Sequence, residues 1–456
     1  MRAIYAITGL TIRSSLRSHI FQLLLVLLGI AIFILPLTLS GDGTAMGQVQ
    51  IMLKYSLGIV SALLAVSSLW LGSAVFAQEI ESYSLHMIFV KPVPRWKVWF
   101  AKWLGIFLLQ AVLLGIAGLT IYFFIQMRVE TGKFSSHELS RLRGEVLVGR
   151  RLFHPDRPDF KGMALDKYRN YVQIGLIKEA TNSTDAYGQI IKEIKAKSTE
   201  VRMRKTKKWT FRNISLEKKD ANIYLRFRMY LGKISSKDQR FTQGIWSVKD
   251  PETNVFIPLP RRALSGHFHE LTLSQKVINS DGTVTISYEN MDPRGSSVIF
   301  QISDGPFLMV RETGFQGNFV RLILLLLMQL AFFSVLGCAA GATLSLPVAI
   351  YFSASYLAIG LILETGMSMP FLDESGQLTN AGLMDYISYY VSIISSKIII
   401  SPSEFVVVTQ LAKGHLVEFS QILRAFFLII VLRGLPIASI GAWIFTKREM
   451  GKVIRK

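Results

Sequence analysis

YSLGIVSALLAVSSLWLGSAVF (residues 55–76), AQEIESYSLHMIFVKPVPRWKVWFAK (77–102) and WLGIFLLQAVLLGIAGLTIYFFIQM (103–127) follow one another directly. The outer two carry no charge, and each exceeds the roughly 20 apolar residues that a helix needs to cross a bilayer. The middle stretch is short and densely charged. The three together predict a membrane hairpin. Working outward, Ile20 to Leu39 is a further uncharged run. Leu322 to Leu363 runs 42 residues without a charge, too long for one span at ~1.5 Å of rise per residue. Gly337, Gly341 and Pro347 near its middle predict two helices joined by a tight turn. Ala425 to Phe445 is interrupted only by Arg433. The expected total is six transmembrane helices.

Six spans put both ends on one side of the membrane. That side would hold 12 Lys and Arg in the end segments and the 78–102 loop, against 4 in the short segments opposite. Positive residues collect on the cytoplasmic side, so both termini are expected in the cytoplasm and residues 128–318 outside it. The net charge is +20; the 128–318 insert holds 33 Lys and Arg against 21 Asp and Glu. Such an exported surface can attract anionic lipid or acidic polymers, and leaves no role for nucleic acid. The one cysteine, Cys338, lies inside a span, so no disulfide within the chain holds the insert together. Residues 1–19 are too polar, and the run after them too long, for a cleavable signal. They suit a cytoplasmic helix in the membrane interface, with Ile4, Ile7, Thr11 and Ile12 on one side.

The expected architecture is an α-helical polytopic membrane protein with an inserted extracytoplasmic α+β domain. The interfacial helix (1–19) precedes the first three spans (20–127), with the cytoplasmic loop at 78–102. In the insert, 134–208 is polar and helical, and 209–313 forms a β-sandwich. Ile223, Leu225, Phe227 and Met229 alternate with Tyr224, Arg226, Arg228 and Tyr230, the period of a half-buried strand. Val284, Ile286 and Tyr288 repeat the pattern after the turn signal Asn279-Ser280-Asp281-Gly282. Spans four to six fill 319–446 around an extracytoplasmic or re-entrant segment, 366–416, and a basic tail closes at 447–456. His267 and His269 read as a surface pair; no ligand spacing completes a metal site.

The 78–105 stretch reads as an amphipathic helix, a break, and a return into the membrane. Glu79 and Glu81 are expected to face water, and Leu85, Ile88 and Phe89 to cover an apolar surface. Pro92 and Pro94 stop the helix. Trp96, Trp99 and Trp103 form an interfacial belt.

Here the chain resembles type-2 ABC exporter permeases. Their loop carries a Glu-X-Glu pair, a Thr-Leu step, a Pro-Val-Ser-Arg-like turn and a Gly-Lys-X-X-Gly-like start to the third span. Glu79 and Glu81 match the pair, Ser84 and Leu85 the step, and Pro92 to Trp96 the turn, with Lys91 before it and Pro94 and Arg95 within it. Lys102 to Gly105 match the start of the span. Tyr83 stands where the family has glycine, and the large insert is foreign to the common core. The resemblance implies that the loop couples the spans to a separate ATPase subunit, and that the permease pairs with a second copy or a paralogue. It also implies the cytoplasmic membrane of a bacterium. Lipopolysaccharide-export permeases share a β-rich exported domain in this position, an analogy of architecture alone.

No Gly-X-X-X-X-Gly-Lys-Ser/Thr pattern occurs, so ATP and Mg²⁺ belong to the partner, and no cofactor is assigned to this chain. No nucleophile–base pair or carboxylate dyad is evident inside a span, and no enzymatic activity is expected of this chain. Arg433, costly inside a span, is a candidate intramembrane polar site; Glu364 and Glu418 are its possible carboxylate partners, and snorkelling to an interface is the alternative. Lipid and an extracytoplasmic partner complete the expected surroundings. The rival function is a membrane-anchored sensor whose β-sandwich binds a glycan, lipid or protein.

Overall fold

The computed structural model describes residues 2–38, 44–132, 134–176, 183–214, 223–232, 240–367, 383–399 and 407–448. Parts of the expected 366–416 segment (368–382 and 400–406) and the tail from 449 lie outside them. The chain divides into two compact units. One comprises Met1–Gly149, Thr313–Met369 and Tyr390–Lys456; the other comprises Arg150–Glu312 and Pro370–Tyr389.

The first unit is helical. Arg2–Arg17 (α1) bends by 74° into His19–Thr38 (α2) at Ser18. Ala45–Glu81 (α3), the short Leu85–Phe89 (α4) and Arg95–Thr131 (α5) follow, then Ser136–Glu145 (α6). After the insert come Phe315–Thr343 (α9) and Leu346–Met367 (α10); α7 and α8 lie in the insert. Leu383–Ile398 (α11) and Val407–Ala412 (α12) precede the last helical run. That run comprises Phe419–Ala425 (α13), a π-helical stretch Phe426–Gly434, and Leu435–Lys447 (α14). Pro436 lacks an N–H and crowds the turn before it, which accounts for the wider turns ahead of α14. Four helices, α3, α5, α9 and Phe419–Lys447, are long and apolar enough to cross a membrane, five if the bent pair α1–α2 forms one span. The chain is a multi-pass membrane protein. α10 is apolar over Leu346–Gly360.

Gly337 and Gly341 lie inside α9, not at a turn; the break falls at Leu344 and Ser345. Their use is close approach. A Cβ on Gly72 of α3 would lie 2.7 Å from the Cys338 amide nitrogen, and one on Gly337 would lie 2.7 Å from the Leu69 carbonyl oxygen. Lipid supplies no hydrophobic drive to hold helices together, so backbone proximity through small residues does so. Polar side chains add to it: Gln110 donates to Ser67 at 2.7 Å, and the Ser73 and Ser353 hydroxyls meet at 3.2 Å. Buried Asn318 accepts from the Val417 amide and donates to the His415 carbonyl, both at 2.7 Å. It thereby satisfies the irregular backbone before α13.

The second unit carries Val148–Phe153 (β1), Phe160–Gln173 (α7), Ser183–Thr199 (α8), Glu200–Val201 (β2), Thr206–Phe211 (β3), Ile223–Arg228 (β4), Tyr230–Leu231 (β5) and Phe241–Lys249 (β6). Phe256–Leu264 (β7), Phe268–Leu273 (β8), Val284–Asn290 (β9), Val298–Ile299 (β10) and Phe307–Gly314 (β11) complete it. Two four-stranded sheets run β1-β11-β4-β8 and β3-β9-β6-β7, with a small sheet β2-β10-β5. β1 and β11 are neighbours, so the chain leaves for the insert and returns from it on adjacent strands. Strands β1 and β2 and the first half of β3 fall in the stretch expected to be helical. Side chains of both large sheets share one core. Trp246 of β6 lies 4.6 Å from Phe227 of β4, 4.9 Å from Tyr288 of β9 and 5.6 Å from Phe300, between ring centroids. Pro258 and Pro260 sit on the edge strand β7, where a missing N–H blunts pairing with a further strand. The Asn279–Gly282 turn forms with Gly282 at φ +73°. The Asp281 carboxylate accepts from the Thr283 amide at 3.0 Å and hydroxyl at 2.7 Å, and these bonds hold its pKa below the ordinary aspartate value.

Overpacking a closed helix contact costs ~1–3 kcal/mol or more. Gly72→Leu and Gly337→Leu are each expected to lower the thermal midpoint in detergent. Gly115→Ala, whose added carbon meets open space, should leave it in place.

Candidate functional site

The turn between α3 and α5 gathers charged groups at one end of the helical unit. Val98, Trp99, Gly105, Ile106 and Leu109 form the buried stripe of α5, and Lys102 lies on it with only 2% of its side chain exposed. A buried ammonium needs a carboxylate. Glu79, in the last turn of α3, supplies one at 2.5 Å. Glu79 is therefore half-buried, with 24% of its side chain exposed, rather than fully in water as the loop pattern suggested; the buried lysine draws it inward. The ring of Phe76 stands 5.7 Å from the same ammonium. Thr8 of α1 donates to the Ala101 carbonyl at 3.0 Å, so the first helix packs across α5 beside this pair. That helix turns Ile7, Thr8, Thr11 and Ser15 inward and leaves Tyr5, Leu10 and Leu16 exposed. The sequence pattern had grouped Thr11 with the isoleucines as one apolar side.

Three other charged side chains each meet a helix end of the sign that suits them. The exposed Glu81 accepts from the Leu346 amide, the first of α10, at 3.2 Å. Arg95 donates to the Thr446 and Arg448 carbonyls at the end of α14, at 2.9 and 3.0 Å. Arg448 in turn donates to the Ala342 carbonyl near the end of α9 at 2.7 Å. Arg95 also stacks over Phe89 of α4 at 5.1 Å, and Phe445 packs against both Phe76 and Phe89.

This framework carries α4. Leu85 is buried and anchors it, while Met87 and Val90 are 80% and 86% exposed. Ser84 donates to the Glu79 carbonyl at 3.4 Å. Lys91 and Pro92 are exposed, and Pro94 occupies the cap position of α5. Tyr83, where the resembling family has glycine, takes φ +58°, a left-handed backbone that glycine adopts without cost. The expected tryptophan belt splits: Trp96 is exposed, whereas Trp99 is buried against Phe76 and Trp103 stacks on Phe107.

Arg433 stands apart from this cluster, half-buried in the π-helical stretch. Glu418 accepts from the Ser420 hydroxyl at 2.8 Å, and the Glu364 side chain lies outside the described residues. His267 and His269 stay close to backbone carbonyls of their own hairpin, those of Ser265 and Leu264. Sequence reasoning did not single out Lys102 or Arg448 as site residues. The signal for Lys102 was present, since a lysine on the apolar stripe of a helix demands a buried partner. Comparison of the chain with family models, curated proteins and solved structures returned no match.

Removing one partner of a buried ion pair costs ~3–5 kcal/mol, whereas replacing both is close to neutral. Lys102→Met and Glu79→Gln are each expected to destabilise the protein, with the double variant recovering most of the loss in a thermal-unfolding cycle. Tyr83→Gly relieves a strained backbone of ~1–2 kcal/mol and should be stable, while the β-branched Tyr83→Ile should not.

Proposed function

We propose that this chain is the membrane-spanning permease subunit of an ABC-type transporter, driven by a separate ATPase subunit. In this proposal α2, α3, α5, α9, α10 and the Phe419–Lys447 run are six spans. Both termini and the α3–α5 turn face the cytoplasm of a bacterium, and the insert, a β-sandwich with added helices, faces outward. The observation that carries the proposal is the combination at α4. A five-residue helix and the residue after it offer Met87 and Val90 to solvent, while Glu79, Glu81, Arg95 and Arg448 tie their surroundings to the ends of five long helices. An exposed apolar knob on such a frame suits receipt of a push from a partner. A loose loop would absorb the displacement. The loop motif points the same way, and the shared core of the two large sheets supports the sandwich.

Six spans add α2 and α10 to the four helices long enough to cross a membrane, and the asymmetry of Lys and Arg supports the orientation. The bend between α1 and α2 supports an interfacial first helix, since Tyr5, Leu10 and Leu16 are exposed beside Arg2, Arg13 and Arg17. In this proposal the permease works as a pair, with a second copy or a paralogue. Export is the expected direction, and the insert meets the substrate or an extracytoplasmic partner. A membrane-anchored binding protein is the second possibility. It is favoured by one observation, the basic cavity of the insert described below.

Met87→Asp and Val90→Asp change only exposed side chains. Each is expected to leave folding and membrane insertion intact and to abolish co-purification of a nucleotide-hydrolysing subunit in mild detergent. Transport-coupled ATPase activity should fall ~10-fold or more, the scale of losing a central apolar contact at a small interface. If an ATPase co-purifies equally with wild type and both variants, α4 is not the contact; if none co-purifies with wild type, the anchored binding protein takes precedence.

A further inference from the structure

The inserted unit contains a cavity of about 380 Å³, within the range of small-molecule sites. Its floor is aromatic and apolar. Trp209 and Phe300 meet edge to face at 5.2 Å, with Val201 beside them. Its wall and rim are basic: Arg157, Lys197, Lys205, Lys207 and Lys208 all line it. The two carboxylates of the lining are already engaged. Asp156 pairs with Arg212 at 2.7 Å, and Glu200 lies 3.7 Å from Arg202. Lys197 is itself paired with Glu193. Among the described residues no carboxylate forms an ion pair with Arg157, Lys205 or Lys207, and these three carry the positive charge of the lining.

Lys207 links rim to floor. Its side chain is half-buried, it donates to the Ser198 carbonyl, and its ammonium stands 5.1 Å from the Trp209 ring centre. A cation held between an aromatic floor and an open, basic mouth is positioned for an anion whose apolar part enters first. Arg157 adds a planar fork suited to two oxygens of one group. His154, beside Arg157, has its pKa held below the ordinary histidine value by burial and by that neighbour's charge. It therefore enters the site as a neutral ring able to donate or accept.

We propose that this cavity binds an organic phosphate, its apolar body against Trp209 and Phe300 and its phosphate among Arg157, Lys205 and Lys207. The inference rests on the inserted unit alone and does not require the permease proposal. The phosphate can belong to a soluble ester or to a lipid headgroup, since both present the same chemistry to the rim.

The test uses the full chain in nanodiscs of zwitterionic lipid, titrated with phenyl phosphate and followed by calorimetry and Trp fluorescence. Saturable binding is expected, weakened ~10-fold or more when phenol or inorganic phosphate replaces it, because each lacks one half of the recognition. Arg157→Gln and Lys205→Gln, both on the exposed rim, should each weaken phenyl phosphate ~5-fold or more, the scale of one charge-assisted hydrogen bond. Burial sets the Lys207 ammonium at about 8, and a bound phosphate favours its charged form. Affinity should therefore fall as the pH rises through about 8, with Arg157, Lys197, Lys205 and Lys208 as its basic neighbours and Asp156, Glu200 and His154 as the other titratable ones. Doping the discs with phosphatidic acid distinguishes the sources: competition assigns the site to a headgroup, and its absence assigns it to a soluble ester. Absence of saturable phenyl phosphate binding, or equal affinity in wild type and both rim variants, would overturn the proposal.

Discussion

The ion pair between Lys102 and Glu79 joins the two longest helices of the chain where the polypeptide turns between them. A lysine at that depth has no alternative to a carboxylate, because an unpaired ammonium away from water costs more than one contact can repay. Once the pair forms, the register of α3 against α5 is set, and so is the separation of their ends. The turn that bridges those ends is short. Its helix must lie across them, with Leu85 inward and Met87 and Val90 outward. Arg95 can then reach the end of α14, and Glu81 the start of α10. The geometry of α4 thus follows from one buried charge on an otherwise apolar stripe.

Much of the membrane part was legible because length and apolarity are direct requirements of a bilayer. Runs such as Ile20 to Leu39 or Trp103 to Met127 announce helices whatever else surrounds them. The glycines of α9 were misread because glycine serves two purposes, freedom of the backbone and absence of a side chain. Only the position of Gly72 on the opposing helix shows that Gly337 serves the second. Glu79 was misread for a related reason. A Glu-X-Glu pair looks solvated until the lysine 23 residues later is placed beside it. The left-handed backbone at Tyr83 was not legible at all, because nothing in a tyrosine announces a positive φ.

In the insert, strands with strict alternation, β4 and β9, were plain in the sequence. β1 and β3 were not, since Arg150, Arg151, Lys207 and Lys208 mask them in polar stretches. Those same residues are where charge enters the fold. Arg150 is almost wholly buried against Glu270, while Lys207 turns to the cavity with Trp209 and Lys208 crosses the other face of the strand to Phe256. A basic strand that looks solvated from composition can therefore be a structural wall or a ligand wall, and only the partner decides which. The excess of positive charge in the insert could be counted from the sequence. Its concentration over an aromatic floor could not, because Trp209 and Phe300 are 91 residues apart.

The central claim is that α4 is the contact through which an ATPase subunit moves the spans. The most direct measurement places a photo-crosslinking amino acid at Met87 in cells of the native host and identifies the captured chain by mass spectrometry. The account predicts a dominant adduct with a subunit carrying a Gly-X-X-X-X-Gly-Lys-Ser/Thr phosphate loop, formed from the cytoplasmic side. Adducts confined to lipid or to this chain, in cells where the protein is folded and inserted, would contradict it.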